Sequence, residues 1–563
     1  MDKKAFLAVV LSLIVIFAWQ LFFAPKSVKK QPEQAQQGAT AVDPKQTVVK
    51  ETAAEPIKPA ASRTVLSPSA TGTEIDIPVE TPFYSATFTT RGGALKSFKL
   101  KNYRKTLPKD SDPIELVHVT DGMPRPLTVT FPESNIDIRP DSLFSADMKS
   151  LDLTKTEDSR QLTFTLSYPN SIKVEKTYTF HPGKFVFDLE IKVHNLAGFP
   201  INQSALLAWH QSALLAWHQF VDPKVETDSY THEGPLSFIS KSIDRYEVKK
   251  MESAKLLGPD VAWGGFENKY FIASLISQNP ALTSIALSKD AQNLVTVSLK
   301  GPQNIIPPGQ AGLFSYSLYL GPKDHDLLKA QGVGLENAID FGDWLKWLAM
   351  PLLVSMKFLY KFVHNYGIAI IILTLLIKII FWPLGNKSYK SMKDMQKLQP
   401  KLAELREKYK NDKTKIGQET MALYKTHKVS PMGGCLPMVI QIPVFFGLYK
   451  TLLYAIELRH APFMWWIQDL SAPDTLFGHI PLWFPIISGF AIGPLPILMG
   501  ATMFIQQKMS PPAGEPMQQK MMLMMPVVFT FMFLNFPSGL VLYWLFQNIL
   551  SIGQQYYINK RPS

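Results

Sequence analysis

Residues 367–383 read GIAIIILTLLIKIIFWP, a run in which only Thr374 and Lys378 are polar. A helix rises about 1.5 Å per residue, so the run covers roughly 25 Å, close to a bilayer's hydrocarbon core. Lys378 then lies roughly 16 Å from the outer end and about 9 Å from the inner one. A lysine at that depth costs around 2.5–3.5 kcal/mol on insertion scales and marks a functional candidate. The competing reading is a stem that snorkels to the inner headgroups. Thr374, one turn earlier, shares its face.

Further apolar blocks extend this reading in both directions. Lys3 and Lys4 precede the run Ala5–Ala24, which exits through Phe22-Phe23-Ala24-Pro25, a poor cleavage site. It reads as an uncleaved span. Other blocks cover 433–454, part of 482–506, 521–535 and 538–553. Gly489, Gly493, Pro494 and Pro496 break the start of the fourth span, so its helix is placed from about Leu495. Lys/Arg placement orients six spans with both termini in the cytoplasm and residues 25–343 outside. Several spans are short, which implies bilayer thinning or a protected wet cavity.

The 563 residues carry a net charge of +12 with only 18% charged residues. Between Asn386 and Met432, 12 Lys/Arg stand against 5 Asp/Glu, so much of the imbalance sits in one loop. That distribution points to a cytoplasmic loop and not to a DNA-reading domain. A simple soluble enzyme and global disorder are both excluded by the long apolar blocks. The single cysteine, Cys435, rules out an intramolecular disulfide and a cysteine zinc site. No glycine-rich phosphate loop or HExxH pattern occurs, so no cofactor or metal is expected.

The sequence divides as follows. Residues 1–25 form an N-terminal anchor and 26–70 a polar tether. Residues 71–335 form an exported β domain and 336–365 an interfacial amphipathic helix. Residues 366–384 form the second span, 385–432 a cytoplasmic helical hairpin, and 433–563 the remaining four spans with a short tail. In the β domain, Leu162, Phe164, Leu166 and Tyr168 alternate, as do Lys176, Tyr178 and Phe180, then Phe185 to Val193. His181-Pro182-Gly183-Lys184 between the last two runs is a hairpin signal. Period-two patterning over many short strands predicts a sandwich. The octapeptide QSALLAWH at 203–210 recurs at 211–218; two copies are too few for a repeat architecture.

In the hairpin, Met392, Met395, Leu398, Leu402, Leu405 and Tyr409 recur at helical spacing, a stripe read as the hairpin's own seam. Pro400 predicts a kink or break there. Its basic outer face suits anionic lipid or ribosomal RNA as well as plain solvation. Lys346, Lys357 and Lys361 share one face of the interfacial helix, which Pro351 is expected to split.

Six stretches carry a family resemblance. They are TRGGALKSFKLKNY at 90–103, KTYTFHPGKF at 176–185, VSPMGGCLPMVIQIPVFFGLY at 429–449, KMSPP at 508–512, EPMQQK at 515–520 and FPSGLVLYW at 536–544. Through them the chain resembles the YidC/Oxa family of bacterial inner-membrane insertases, over nearly its whole length. The resemblance implies a β-supersandwich periplasmic domain, a five-span core and a cytoplasmic helical hairpin. It implies placing newly made proteins into the membrane, alone or beside the Sec translocon, with no enzymatic step. It also implies a basic residue in a substrate groove, usually arginine, where this chain has Lys378. The short tail holds only Lys560 and Arg561, which puts ribosome docking through the tail in doubt.

Candidate groove residues are Lys378, Thr374, Gln441, Gln506, Gln507, Tyr543, Trp544, Gln547 and Asn548. A bilayer offers no water to amides, so these groups must face each other or a wet pocket. Ordinary interhelical hydrogen bonding remains the alternative for each amide, and an interfacial belt position the alternative for Trp544. The rival function is a transporter or channel built around the intramembrane lysine.

Overall fold

The structure is a computed structural model. It describes residues 64–65, 73–107, 111–119, 123–131, 134, 136–203, 205–212, 231–290, 294–342, 344–410, 412–427, 429, 436–481, 489–510 and 516–560. The expected N-terminal anchor, most of the tether and most of the second octapeptide copy lie outside these residues. The chain divides into two units, one ending at Ala338 and the other running from Ile339.

In the first unit the alternating residues become strands Arg160–Tyr168, Ile172–Phe180 and Val186–Asn195. Each pairs antiparallel with the next, Leu162 opposite Tyr178 and Tyr178 opposite Leu189. They belong to a nine-stranded sheet that continues through Ala311–Pro322 and Phe271–Ser277. Two five-stranded sheets complete the main architecture, one of them formed by Asp76–Glu80, Tyr84–Thr89, Ala94–Arg104, Pro113–His118 and Leu151–Asp152. Phe88 of that sheet packs on Tyr178, Phe180 and Phe187 of the large one, with centroids 4.7, 5.5 and 6.3 Å away. Two apolar faces bury each other, which is the sandwich that the alternation predicts. Gly183 (φ +72°) turns the expected hairpin in open space. Part of the tether is ordered: Thr64–Val65 pair in parallel with Ile136–Asp137.

Lys176 occupies an inward position of its strand and is fully buried. Its Nζ donates to the carbonyls of Gly92 (2.9 Å), Gly93 (2.7 Å) and Leu127 (2.7 Å). Three acceptors match the three N–H bonds of an ammonium, while burial pushes its pKa down to about 7. A second buried charge cluster closes the end of the unit. Glu267 accepts from Lys323 Nζ and from Arg245 Nε, both at 2.7 Å, and Arg245 Nη2 donates to the Ala338 carbonyl at 2.9 Å. Burial alone would raise the Glu267 carboxyl, but Lys323 and Arg245 hold it below the ordinary value.

The second unit is helical. After the short helix α1 (His325–Lys329) of the first unit come α2 (Lys346–Val363), α3 (Tyr366–Ile380) and α4 (Trp382–Lys397). Then follow α5 (Gln399–Lys408), α6 (Lys413–Thr426) and α7 (Leu436–Tyr454). The last three are α8 (Pro494–Met509), α9 (Pro516–Phe533) and α10 (Ser538–Lys560). Pro351 does not split α2: it lies inside one continuous helix on the exposed side, where the missing N–H strands no buried carbonyl. The break expected at Pro400 occurs, since α4 ends at Lys397 and Pro400 sits in the first turn of α5. Met395, Leu398 and Leu402 of the predicted seam are buried. α8 starts within a residue of the expected Leu495, and α10 runs beyond the expected Gly553 to Lys560.

Among the described residues no single helix is long and apolar enough to cross a membrane alone. The pair α3 and α4 passes that test together, with a 65° bend between them.

The start of α8 shows how the unit's loops hold helices in place. Its N-terminal Leu495 N–H is capped from a distance by Asp474 Oδ2 at 2.9 Å, and the same carboxylate accepts from Trp466 Nε1 at 3.1 Å. Gly493 leaves the room: a Cβ there would lie 2.1 Å from the Asp474 carboxylate carbon.

Candidate functional site

α3 shows an apolar outer face and turns the two polar side chains of its apolar run inward, among buried Ala369, Ile370 and Leu373. Leu375, Leu376, Ile379 and Ile380 are exposed, whereas Thr374 and Lys378 are buried. That inversion suits a helix whose solvent is lipid. Thr374 donates its hydroxyl hydrogen to the Ile370 carbonyl of its own helix at 2.7 Å. Lys378, 9% exposed, donates from Nζ to Ser551 Oγ on α10 at 2.8 Å. Ser551 in turn donates to the Gln547 carbonyl at 2.7 Å. Among the described residues Lys378 has no ion-pair partner. A buried cation without a counter-ion is the feature a polar or acidic guest would relieve.

The Tyr389 hydroxyl on α4 reaches both Ser551 and Gln506. One turn beyond Ser551, Gln554 Nε2 donates to Asn386 Oδ1 (2.9 Å) and to the Trp382 carbonyl (3.2 Å). Gln555 Nε2 donates to the Met509 carbonyl at 2.8 Å. The side-chain oxygens of Gln547, Gln554 and Gln555 and the Tyr543 hydroxyl are buried without a partner. Tyr543 faces the Gln441 side chain, but in no hydrogen bond of normal geometry. Unsatisfied polar atoms in such number are a place for water or for a polar segment of another chain.

The predicted residues thus separate. Lys378 and Gln506 are joined through Ser551 and Tyr389, whereas Gln547 enters only through its backbone carbonyl. Gln441 and Tyr543 form an adjacent pair. Asn548 turns to α8, donating to Thr502 Oγ1 at 3.2 Å. Trp544 lies on another face of α10, in an aromatic cluster with Phe445, Phe529 and Phe533 at 4.7, 6.2 and 5.2 Å. Gln507 is half-buried, and its carbonyl accepts from the Ser510 N–H. Sequence reasoning missed Ser551, Tyr389, Gln554 and Gln555. Extending the four-residue spacing of Tyr543 and Gln547 by one more turn reaches Ser551. Tyr389 gives no comparable signal, because the bend before α4 carries it back to the pocket.

Residues 76–355 match the family model of the YidC periplasmic domain, and residues 358–563 match that of the 60Kd inner membrane protein. The membrane protein insertase YidC of Syntrophus aciditrophicus (strain SB) is 60% identical over 567 residues, covering 100% of both chains. The chain belongs to the YidC family of membrane protein insertases. A second family member, membrane protein insertase YidC of Pelobacter propionicus, is 45% identical, covering 100% of this chain and 99% of its own. A crystal structure of an active YidC insertase with its first transmembrane domain resolved matches 85% of this chain and 91% of its own, at 19% identity and a TM-score of 0.36. The two family models meet in α2, so both the β unit and the helical unit are family parts.

Proposed function

We propose that this chain inserts newly made proteins into the bacterial inner membrane and helps them fold, working alone or with the Sec translocon. One observation supports the pocket as the working part: a buried lysine without a counter-ion, bonded to Ser551 of a helix that carries buried, unpaired amide oxygens at 547, 554 and 555, with an apolar outer face on its own helix. A hydrophilic segment of the substrate would sit halfway across the membrane beside Lys378, Gln506 and Gln547. Its desolvation cost falls because protein dipoles replace water. Transfer of the substrate's apolar segment into lipid then supplies the driving force, and no nucleotide is consumed.

In this reading the chain has six spans, cytoplasmic termini and residues 25–343 in the periplasm of a Gram-negative cell. The span containing α3 bends into the cytoplasmic hairpin. α2 lies at the interface, with Trp347, Phe358 and Phe362 of its exposed side in the lipid. The basic face of α5 and α6 meets anionic lipid or the ribosome.

Site-specific photocrosslinking tests the reading. Crosslinking residues replace Lys378 or Gln506 in the pocket, and Leu376 or Ile379 on the outer face of α3. The target is a ribosome-bound nascent chain of a single-span protein. Pocket adducts well above the outer-face adducts are expected. Equal or absent pocket adducts refute the substrate pocket and favour a snorkelling lysine.

A further inference from the structure

The bend between α3 and α4 is fastened from one side chain. Gln554 on α10 is nearly fully buried and donates to both the Trp382 carbonyl and Asn386 Oδ1, in the first turns of α4. Gly385 makes the approach feasible: a Cβ there would stand 2.8 Å from Gln554 Nε2 and 3.0 Å from its Oε1. Further along the same face, Tyr389 reaches Ser551, and Lys393 Nζ donates to the Asn559 carbonyl at 3.4 Å. Positions 382, 386, 389 and 393 follow helical spacing, so one stripe of α4 lies along residues 551–559 of α10. Ser551 therefore meets Lys378 from α3 and Tyr389 from α4 at a single oxygen.

We propose that Gln554 is a positioning residue that latches α4 over the pocket, and that release of α4 frees Lys378 from its Ser551–Tyr389 cover to receive the substrate. The inference rests on the insertase reading above. It adds that occupancy of the pocket is controlled from the cytoplasmic side, because α4 continues through Leu398 into the basic hairpin. A load on α5 and α6 pulls on the latch before it reaches the pocket. The apolar outer face of α3 offers no comparable handle.

The test uses the full chain in native membranes, in a Cys435→Ser background that removes the sole cysteine. Ser388→Cys, at a buried position of α4, is alkylated with a permeant maleimide. Thr451→Cys, fully buried in α7, is the control for general loosening. Asn386→Leu is expected to speed alkylation at 388 roughly fivefold, the factor carried by one net hydrogen bond, and Gln554→Leu, which removes both bonds to α4, by at least as much. Asn386→Asp keeps an acceptor and is expected to stay at the parent rate. An unchanged rate at 388, or an equal rise at 451, overturns the latch. Nascent-chain adducts at Gln506 are then compared. Adducts absent even in the parent protein count against the substrate pocket itself, whatever the alkylation shows. Adducts present but unaltered by Gln554→Leu, with α4 released, overturn the control of the pocket by the latch. Faster alkylation together with changed adduct yield supports it.

Discussion

Replacing Glu267 by glutamine keeps the shape of the side chain and removes its charge. In the native unit the carboxylate is 1% exposed and Lys323 2% exposed, and a 2.7 Å contact joins them. After the change, the one remaining side-chain oxygen can accept from Lys323 or from Arg245 but not from both, the amide NH2 faces the other cation, and neither charge is neutralised. Lys323 also donates to the Asn268 carbonyl at 3.2 Å. Breaking a buried pair from one side typically costs about 3–5 kcal/mol, because the remaining charge stays desolvated. In a unit of this size each kcal/mol moves the midpoint by roughly 2–4 °C, so a fall of roughly 6–20 °C is expected. Thermal and urea unfolding of residues 73–338 reads it. The double variant Glu267→Gln/Lys323→Met should lose less than the sum of the two single changes, since each removes the partner the other strands. A loss near 1 kcal/mol with additive singles would mean that the cluster behaves as an exposed pair and would refute the argument.

Other outcomes follow from the same chemistry. Because Glu267 is held below its ordinary value, its contribution is complete above that ordinary value and is lost as the pH falls from there through the lowered folded value, which acid unfolding of wild type against Glu267→Gln measures. Lys176 acts in the opposite range: with a folded value of about 7, the unfolded chain holds a proton that the folded chain has released. Stability of the first unit should therefore rise with pH from about 7 towards the ordinary lysine value of about 10.4, and Lys176→Met should flatten that slope in urea titrations. Gly493→Ala forces the Asp474 carboxylate aside and uncaps α8; a loss of about 1–2 kcal/mol is expected from the cap alone, read as thermal stability in detergent.

The strands were legible because their side chains alternate under a single rule: inward residues meet the opposite sheet. Lys176 obeys that rule and still surprises, since nothing local reveals that two glycines and Leu127 present three carbonyls to it. The break at Pro400 was legible because proline cannot continue the ladder, whereas Pro351 is tolerated on an exposed face. Lys378 stood out as a charge in an apolar run. Its partner Ser551 lies 173 positions away, beyond the reach of any spacing argument that begins at Lys378. Trp544 is grouped with the groove by its four-residue spacing to Asn548, which itself turns to α8. One residue past Tyr543 the helix has turned by about 100°, enough to send Trp544 to the aromatic cluster instead.

The many-sided engagement of α10 has a consequence for how such a chain changes over generations. Asn548 reaches α8, Ser551 reaches α3 and Gln554 reaches α4. An added or lost residue between Ser538 and Asn559 would rotate everything beyond it by about 100° and undo these contacts together. Length variation among descendants should therefore collect before Ser538 and after Lys560. Within the helix, only substitution is open to drift.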